Sequence, residues 1–134
     1  MPPDLDVTTA ELAVLQTLWE HGACTIRQIA DILYPGGKAA QYGTVQKLLE
    51  RLEAKACVRR DRTLWPHVFS AAVQREDLIG WRLRETAEKL CSGSMTPLLL
   101  HLLDAEQFSD QQRDELRSFL EQLKKQKPTD DAVS

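Results

Sequence analysis

The stretch Tyr42-Gly43-Thr44-Val45-Gln46-Lys47-Leu48-Leu49-Glu50-Arg51-Leu52-Glu53, followed shortly by Val58-Arg59-Arg60-Asp61, decides the fold. Val45, Leu48, Leu49 and Leu52 stand at i, i+3, i+4 and i+7, the spacing of one buried helix face. Gln46, Lys47, Glu50, Arg51 and Glu53 occupy the other side. From Cys57 the period changes. Val58–Asp61 and His67-Val68-Phe69-Ser70 read as two short strands, with Pro66 in the loop between them. A helix carrying basic residues on its free face, followed by a hairpin, is the second half of a winged helix-turn-helix.

Upstream, two further helices complete that plan. Thr8-Thr9-Ala10-Glu11 has the Ser/Thr-x-x-Glu form of a capping box, and Leu12, Leu15, Leu18 and Trp19 follow until Gly22 stops the run. Thr25-Ile26-Arg27-Gln28 is a second box, opening a short helix through Ile29, Ile32 and Leu33 that ends at Pro35-Gly36-Gly37. A polar Lys38–Gln41 loop leads into the third helix, with Tyr42 and Thr44 near its start.

Charge singles out the same segment. The 134-residue chain carries a net charge of −3. Within residues 38–62, however, Lys38, Lys47, Arg51, Lys55, Arg59, Arg60 and Arg62 face only Glu50, Glu53 and Asp61, a local excess of +4. One basic segment in an acidic protein resembles an electrostatic footprint for phosphates; a solvated helix face is the plain alternative. An α-helix fits the DNA major groove, so Gln46 and Lys47 are candidates for base or phosphate contacts. Tyr42 and Thr44 suit phosphate, although Thr44 would equally serve as the helix N-cap. Arg51 either binds phosphate or pairs with Glu50 or Glu53. Arg59, Arg60 and Arg62 straddle the wing, and strand alternation sends Arg59 and Arg60 to opposite faces.

Downstream the chain is again helical. Gln74–Leu90 carries Leu78, Ile79, Leu83, Ala87 and Leu90, with Trp81 off that stripe as an interface anchor or a core residue. Thr96-Pro97 opens a helix through Leu98, Leu99 and Leu102, and Ser109-Asp110-Gln111-Gln112 opens a last one bearing Leu116, Phe119, Leu120 and Leu123. So much apolar surface on three short helices exceeds what they can bury alone, and a second copy of the chain supplies the economical partner. The expected organisation is mainly α with a small β-hairpin wing: a winged-helix DNA-binding domain at 1–72, a helical dimerisation domain at 73–127, and a disordered tail at 128–134. Leu83, Leu98, Leu99, Leu102, Leu116, Phe119, Leu120 and Leu123 are the expected dimer residues.

Other classes find little support. No apolar run approaches the length of a membrane span, and the first residues have neither the basic nor the apolar region of a signal peptide. Cys24, Cys57 and Cys91 are scattered and odd in number, which argues for a reducing cytoplasm. His21 and Cys24 would need two further ligands to hold zinc, so no metal or cofactor is expected. Gly36-Gly37-Lys38 lacks phosphate-loop spacing, and no hydrolase or metallopeptidase motif occurs, so no enzyme activity is expected. A winged helix also serves as a protein-interaction module without DNA binding; the +4 segment favours DNA.

These residues resemble a known family. Ala10–Trp19 is similar to the opening helix of the penicillinase repressors, Tyr42–Glu53 to their recognition helix, and Val68-Phe69-Ser70 with Val73 to their second wing strand and exit. Gly93-Ser94 with the apolar helix after it, and Leu116–Leu123, resemble their dimerisation region. The resemblance implies a cytoplasmic homodimer that represses transcription from a dyad-symmetric, double-stranded DNA operator. It further implies a membrane metalloprotease sensor of β-lactams and cleavage in the dimerisation region, at His101-Leu102 here. The sequence departs from the family pattern at several points. Gly43 stands where a threonine is common and Ala56 where a glycine is usual. Leu64-Trp65 replaces Gly-Arg at the wing tip, and His101-Leu102 replaces the scissile Asn-Phe. The Cys-x-Cys pairs of the related copper-responsive repressors are absent.

Overall fold

The computed structural model describes residues 2–104 and 108–125, in the last helix without the side chains of Leu120 and residues 123–125. The elements run α1 (Thr9–His21), β1 (Cys24–Thr25), α2 (Ile26–Leu33), α3 (Ala39–Ala54), β2 (Val58–Asp61), β3 (Val68–Ala71), α4 (Arg75–Cys91), α5 (Thr96–Asp104) and α6 (Asp110–Lys125). The chain forms two compact units that divide between Leu83 and Arg84, within α4. The first is a winged helix-turn-helix, as the sequence indicates, and the whole is mainly helical with one small sheet.

Both capping boxes form. Thr8 Oγ1 accepts from the Glu11 N–H at 3.1 Å while the Glu11 carboxylate accepts from the Thr8 N–H at 2.8 Å. Thr25 and Gln28 repeat the exchange at 3.1 and 2.8 Å. The core of this unit takes the whole anticipated stripe of α3, Val45, Leu48, Leu49 and Leu52, with Leu15 and Leu18 of α1 and Ile29 of α2. Val14, outside the expected α1 stripe, is fully buried, whereas Leu12, Trp19 and Leu33 are only partly buried and Ile32 is exposed. Trp19 packs against this core and donates from its indole N–H to the Val73 carbonyl at 2.9 Å.

Two further details differ from the sequence reading. The wing hairpin gains a third strand, β1, and β3 lies in the middle of the antiparallel order β1-β3-β2. A two-residue strand has no periodicity to read, and only its pairing of Cys24 with Phe69 and Thr25 with Val68 defines it. Second, α3 begins at Ala39, so most of the expected Lys38–Gln41 loop is its first turn. The Gln41 side chain accepts from the Lys38 N–H and closes that turn. A Cβ on Gly37 would sit 2.6 Å from Gln41 Oε1 and 2.8 Å from the Tyr34 carbonyl, so this approach to the helix requires glycine. Thr44 is therefore an interior residue, and its hydroxyl donates to the Ala40 carbonyl at 3.2 Å instead of capping the helix.

The far end of α3 is fixed by an ion pair. Glu11 is 1% exposed, and the Lys55 ammonium reaches its carboxylate at 2.7 Å and the Asp6 carbonyl at 2.8 Å. Ala56 then turns the chain with φ +60°, and the Cys57 N–H reaches back to the Leu52 carbonyl at 2.8 Å. A left-handed alanine costs roughly 1 kcal/mol, which explains why glycine is favoured at such a helix end. Burial pushes the Glu11 carboxyl up, but the hydrogen bonds from Lys55 and Thr8 and the charge of Lys55 outweigh it and leave the group below its ordinary 4.5.

A group held low in the native state stabilises the fold fully above its ordinary value, and that contribution is lost as the pH falls through the lower native value. Urea titrations over this acid range should show a declining unfolding free energy, and the decline should be shallower in Lys55→Ala. At neutral pH Lys55→Ala should cost about 2 kcal/mol. That is less than for a fully buried pair, because Lys55 is partly exposed and Thr8 still serves the carboxylate. Equal acid sensitivity in the two chains would contradict the assignment.

Candidate nucleic-acid interface

The buried stripe of α3 dictates what its other face presents. With Val45, Leu48, Leu49 and Leu52 inward, the exposed side chains are Thr44, Gln46, Lys47, Glu50 and Arg51. Gln46 leans on Glu50, its amide nitrogen 3.5 Å from the carboxylate. Among the described residues Lys47 and Arg51 join no ion pair. Gly43 is exposed on the same face, and a Cβ there would meet nothing within 4 Å. The fold gives no reason for this glycine, which costs a helix roughly 1 kcal/mol relative to alanine. Its lack of a side chain leaves the helix backbone open to close approach from outside.

The three wing arginines separate by register. Arg59 pairs with Ser70, and Arg60 with Phe69. Period-two alternation then puts Arg59 outward, where it is exposed, and Arg60 on the inner face. The Arg60 guanidinium lies over the fully buried Phe69 ring at 4.8 Å and binds Glu53 at 3.0 Å; its side chain is 20% exposed. Arg62, 65% exposed, meets the other oxygen of Glu53 at 3.4 Å. Glu53 of α3 thus clamps both ends of one arginine pair and ties the wing to the helix. Arg59 and Arg62 face solvent, whereas Arg60 braces the joint.

Between α3 and the wing runs a cleft of about 550 Å³, open along one side. It is lined by Tyr42 and Gln46 of α3, by Trp65, Pro66 and His67 of the wing, by Thr25, Ile26 and Arg27 at the junction of β1 and α2, and by Arg60 and Phe69 of the sheet. Arg27 and His67 were not anticipated as site residues. Arg27 is the one basic residue within 1–37, and that isolation was the available signal. Nothing local in the sequence marks His67. Among the described residues no group of three or more His, Cys, Asp or Glu is arranged to hold a metal. Burial raises the thiols of Cys24 and Cys57, with the Asp4 charge adding to the effect at Cys57, so both stay neutral and unreactive at ordinary pH.

In the second unit α5 contains five leucines and no buried residue. Of the expected dimer residues there, Leu99, Leu102 and Phe119 are exposed, and Leu98 and Leu116 are half-buried; Leu83, at the end of the first unit, is exposed. The side chains of Leu120 and Leu123 lie outside the described residues, as does the segment 128–134. His101 and Leu102 both sit within α5 and are exposed. No described helix is long and apolar enough to cross a membrane.

A winged helix-turn-helix whose third helix and wing present exposed cations has the architecture of DNA-binding transcriptional regulators. The model of the penicillinase repressor family matches residues 7–122, and the chain belongs to that family. Among relatives, it is 23% identical to the penicillinase repressor of Bacillus licheniformis, across 90% of this chain and 94% of that one. It is 22% identical to the penicillinase repressor of Staphylococcus aureus, across 90% and 95%. A solved structure of a MarR family protein from Bacillus stearothermophilus aligns with 24% identity and a TM-score of 0.48, covering 90% of this chain and 75% of that one.

Proposed function

We propose that the chain is a homodimeric repressor that occupies an inverted-repeat DNA operator through α3 and the wing. Carrying this reading is the one-sided surface of α3, where a bare Gly43 is followed on the same face by an exposed Lys47 and Arg51, at i+4 and i+8, alongside the outward arginines of the wing. Gln46 and Lys47 lie where base edges are reached, with Gln suited to adenine and Lys to guanine or phosphate. Tyr42, Thr44, Arg51, Arg59 and Arg62 hold the phosphates and set the register. Arg60 supports the wing from behind. The second copy covers the leucines of α5 and the exposed Phe119, because contiguous exposed apolar patches mark interaction sites in soluble proteins. Release from DNA follows loss of that dimer, and cleavage at His101-Leu102 by a membrane metalloprotease sensor is the route the family relationship suggests.

Lys47→Ala tests the DNA face. On a duplex that the intact chain enriches from a random-sequence pool, affinity should fall by about 1 to 3 kcal/mol if Lys47 reads a base. Preference should then relax at one position of each half-site. A phosphate contact would instead weaken all duplexes alike and lower the salt slope by about one. Unchanged affinity in gel-shift titrations across salt would remove Lys47 from the interface. Salt-independent failure of the intact chain to bind any duplex would favour a protein-interaction module.

A further inference from the structure

Trp65 is 87% exposed and its neighbour Leu64 50%, at the tip of a wing whose flanks are cationic. An indole this open contributes almost nothing to the fold. It is nevertheless held in place. The His67 ring meets it edge-on with centroids 5.1 Å apart. Below it the turn is tied by the Thr63 N–H to Asp61 at 2.9 Å and by Arg62 to Glu53 at 3.4 Å. An exposed aromatic knob with Leu64 and Pro66 beside it, on a turn braced from below, is available to a partner, and its surroundings indicate which.

Arg59 and Arg62 face solvent along the same wing, so an apolar partner without negative charge would leave two cations poorly matched. Trp65 also shares its cleft with Tyr42 and Gln46, the residues that the proposed DNA reading assigns to the operator. With α3 in the major groove, the wing that Glu53 ties to it through Arg60 and Arg62 lies beside that groove, and its exposed tip is the part within reach of the adjacent minor groove. Apolar side chains entering that groove pack on deoxyribose and wedge between base steps, which is easiest where A·T pairs leave the groove floor free of guanine amino groups. The geometry points to Trp65 as a minor-groove contact flanking each half-site, an apolar wedge in place of a cationic wing tip. This rests on the DNA reading of α3 and adds a specificity element to it.

Two duplexes that differ only in the minor groove give the test: guanine–cytosine and inosine–cytosine, the second lacking the guanine 2-amino group. The intact chain should bind the inosine duplex several-fold more tightly. Trp65→Ala should erase that difference and weaken binding to the inosine duplex by about tenfold, the scale of one aromatic contact to a nucleotide. Tryptophan emission should change on adding the duplex, and Trp65→Phe, which keeps an aromatic ring and the fold, should abolish most of that change. Equal binding by the intact and Trp65→Ala chains overturns the wedge while leaving the α3 reading in place. Absence of salt-dependent binding to either duplex overturns both. A Trp65-dependent emission change produced by anionic lipid vesicles or by raising protein concentration, and not by DNA, assigns the tip to a membrane or to a second copy instead and overturns the proposal.

Discussion

Phe69→Ala is expected to lower the unfolding free energy by about 3 to 5 kcal/mol, the usual cost of truncating a buried phenylalanine. The position explains why the value should lie toward the upper end. Phe69 is fully buried in the central strand, paired with Cys24 of β1 on one side and Arg60 of β2 on the other. Truncation opens a cavity beneath the central strand β3, where the ring is fully buried. It also removes the ring on which the Arg60 guanidinium rests at 4.8 Å, whose Nε is buried without a hydrogen-bond partner. Arg60 would then swing outward or stay stranded, and its hold on Glu53 would loosen in either case. Phe69→Leu should recover more than half of the stability. Urea denaturation of the two variants gives the comparison, and a loss below about 1 kcal/mol for the alanine variant would show that the site collapses without cost.

Arg60 also shows where the sequence stops informing. Alternation establishes that Arg59 and Arg60 point to opposite faces, but the sign is set by cross-strand register with Phe69. Register is a long-range property, and no window around Arg60 contains it. Strand β1 was hidden for the same reason: Cys24 and Thr25 become a strand only by meeting Phe69 and Val68. The features that could be read are local ones. The boxes at Thr8 and Thr25 involve residues three apart, and the stripe Val45, Leu48, Leu49 and Leu52 repeats within two turns. The start of α3 fell between these cases. Lysine is not a preferred N-cap residue, and the contact that closes the turn comes from Gln41 reaching back. The exposed face of α3 could be read from its period alone, while the cleft joining it to Arg27 and His67 required the tertiary fold.

Ending the chain after Leu83 is expected to yield a folded monomer that binds a two-half-site operator about 10² to 10⁴ times more weakly than the full chain. The first unit retains its own core, including Leu78 of α4, and Arg82 still donates to the Val7 carbonyl at 3.0 Å. An end at Ala72 would remove both contacts and confuse unfolding with loss of dimerisation. The shortened chain loses α5, whose leucines are the proposed seam. One winged helix makes few phosphate contacts, so its binding should approach the nonspecific range of about 10⁻⁴ to 10⁻⁶ M at physiological salt. Linking two copies makes the second engagement intramolecular, which raises avidity without any new contact, provided the half-sites lie about one helical turn or a multiple apart. On a duplex carrying a single half-site the two chains should therefore differ little. Sedimentation reports the oligomeric state, and titrations on the one- and two-half-site duplexes separate avidity from intrinsic contact. If the shortened chain binds the two-half-site duplex as tightly as the full chain, loss of dimerisation cannot be the release step, whether by cleavage at His101-Leu102 or otherwise. If the deficit is the same on both duplexes, residues after Leu83 act on the DNA face itself, and α5 is not a dimer seam.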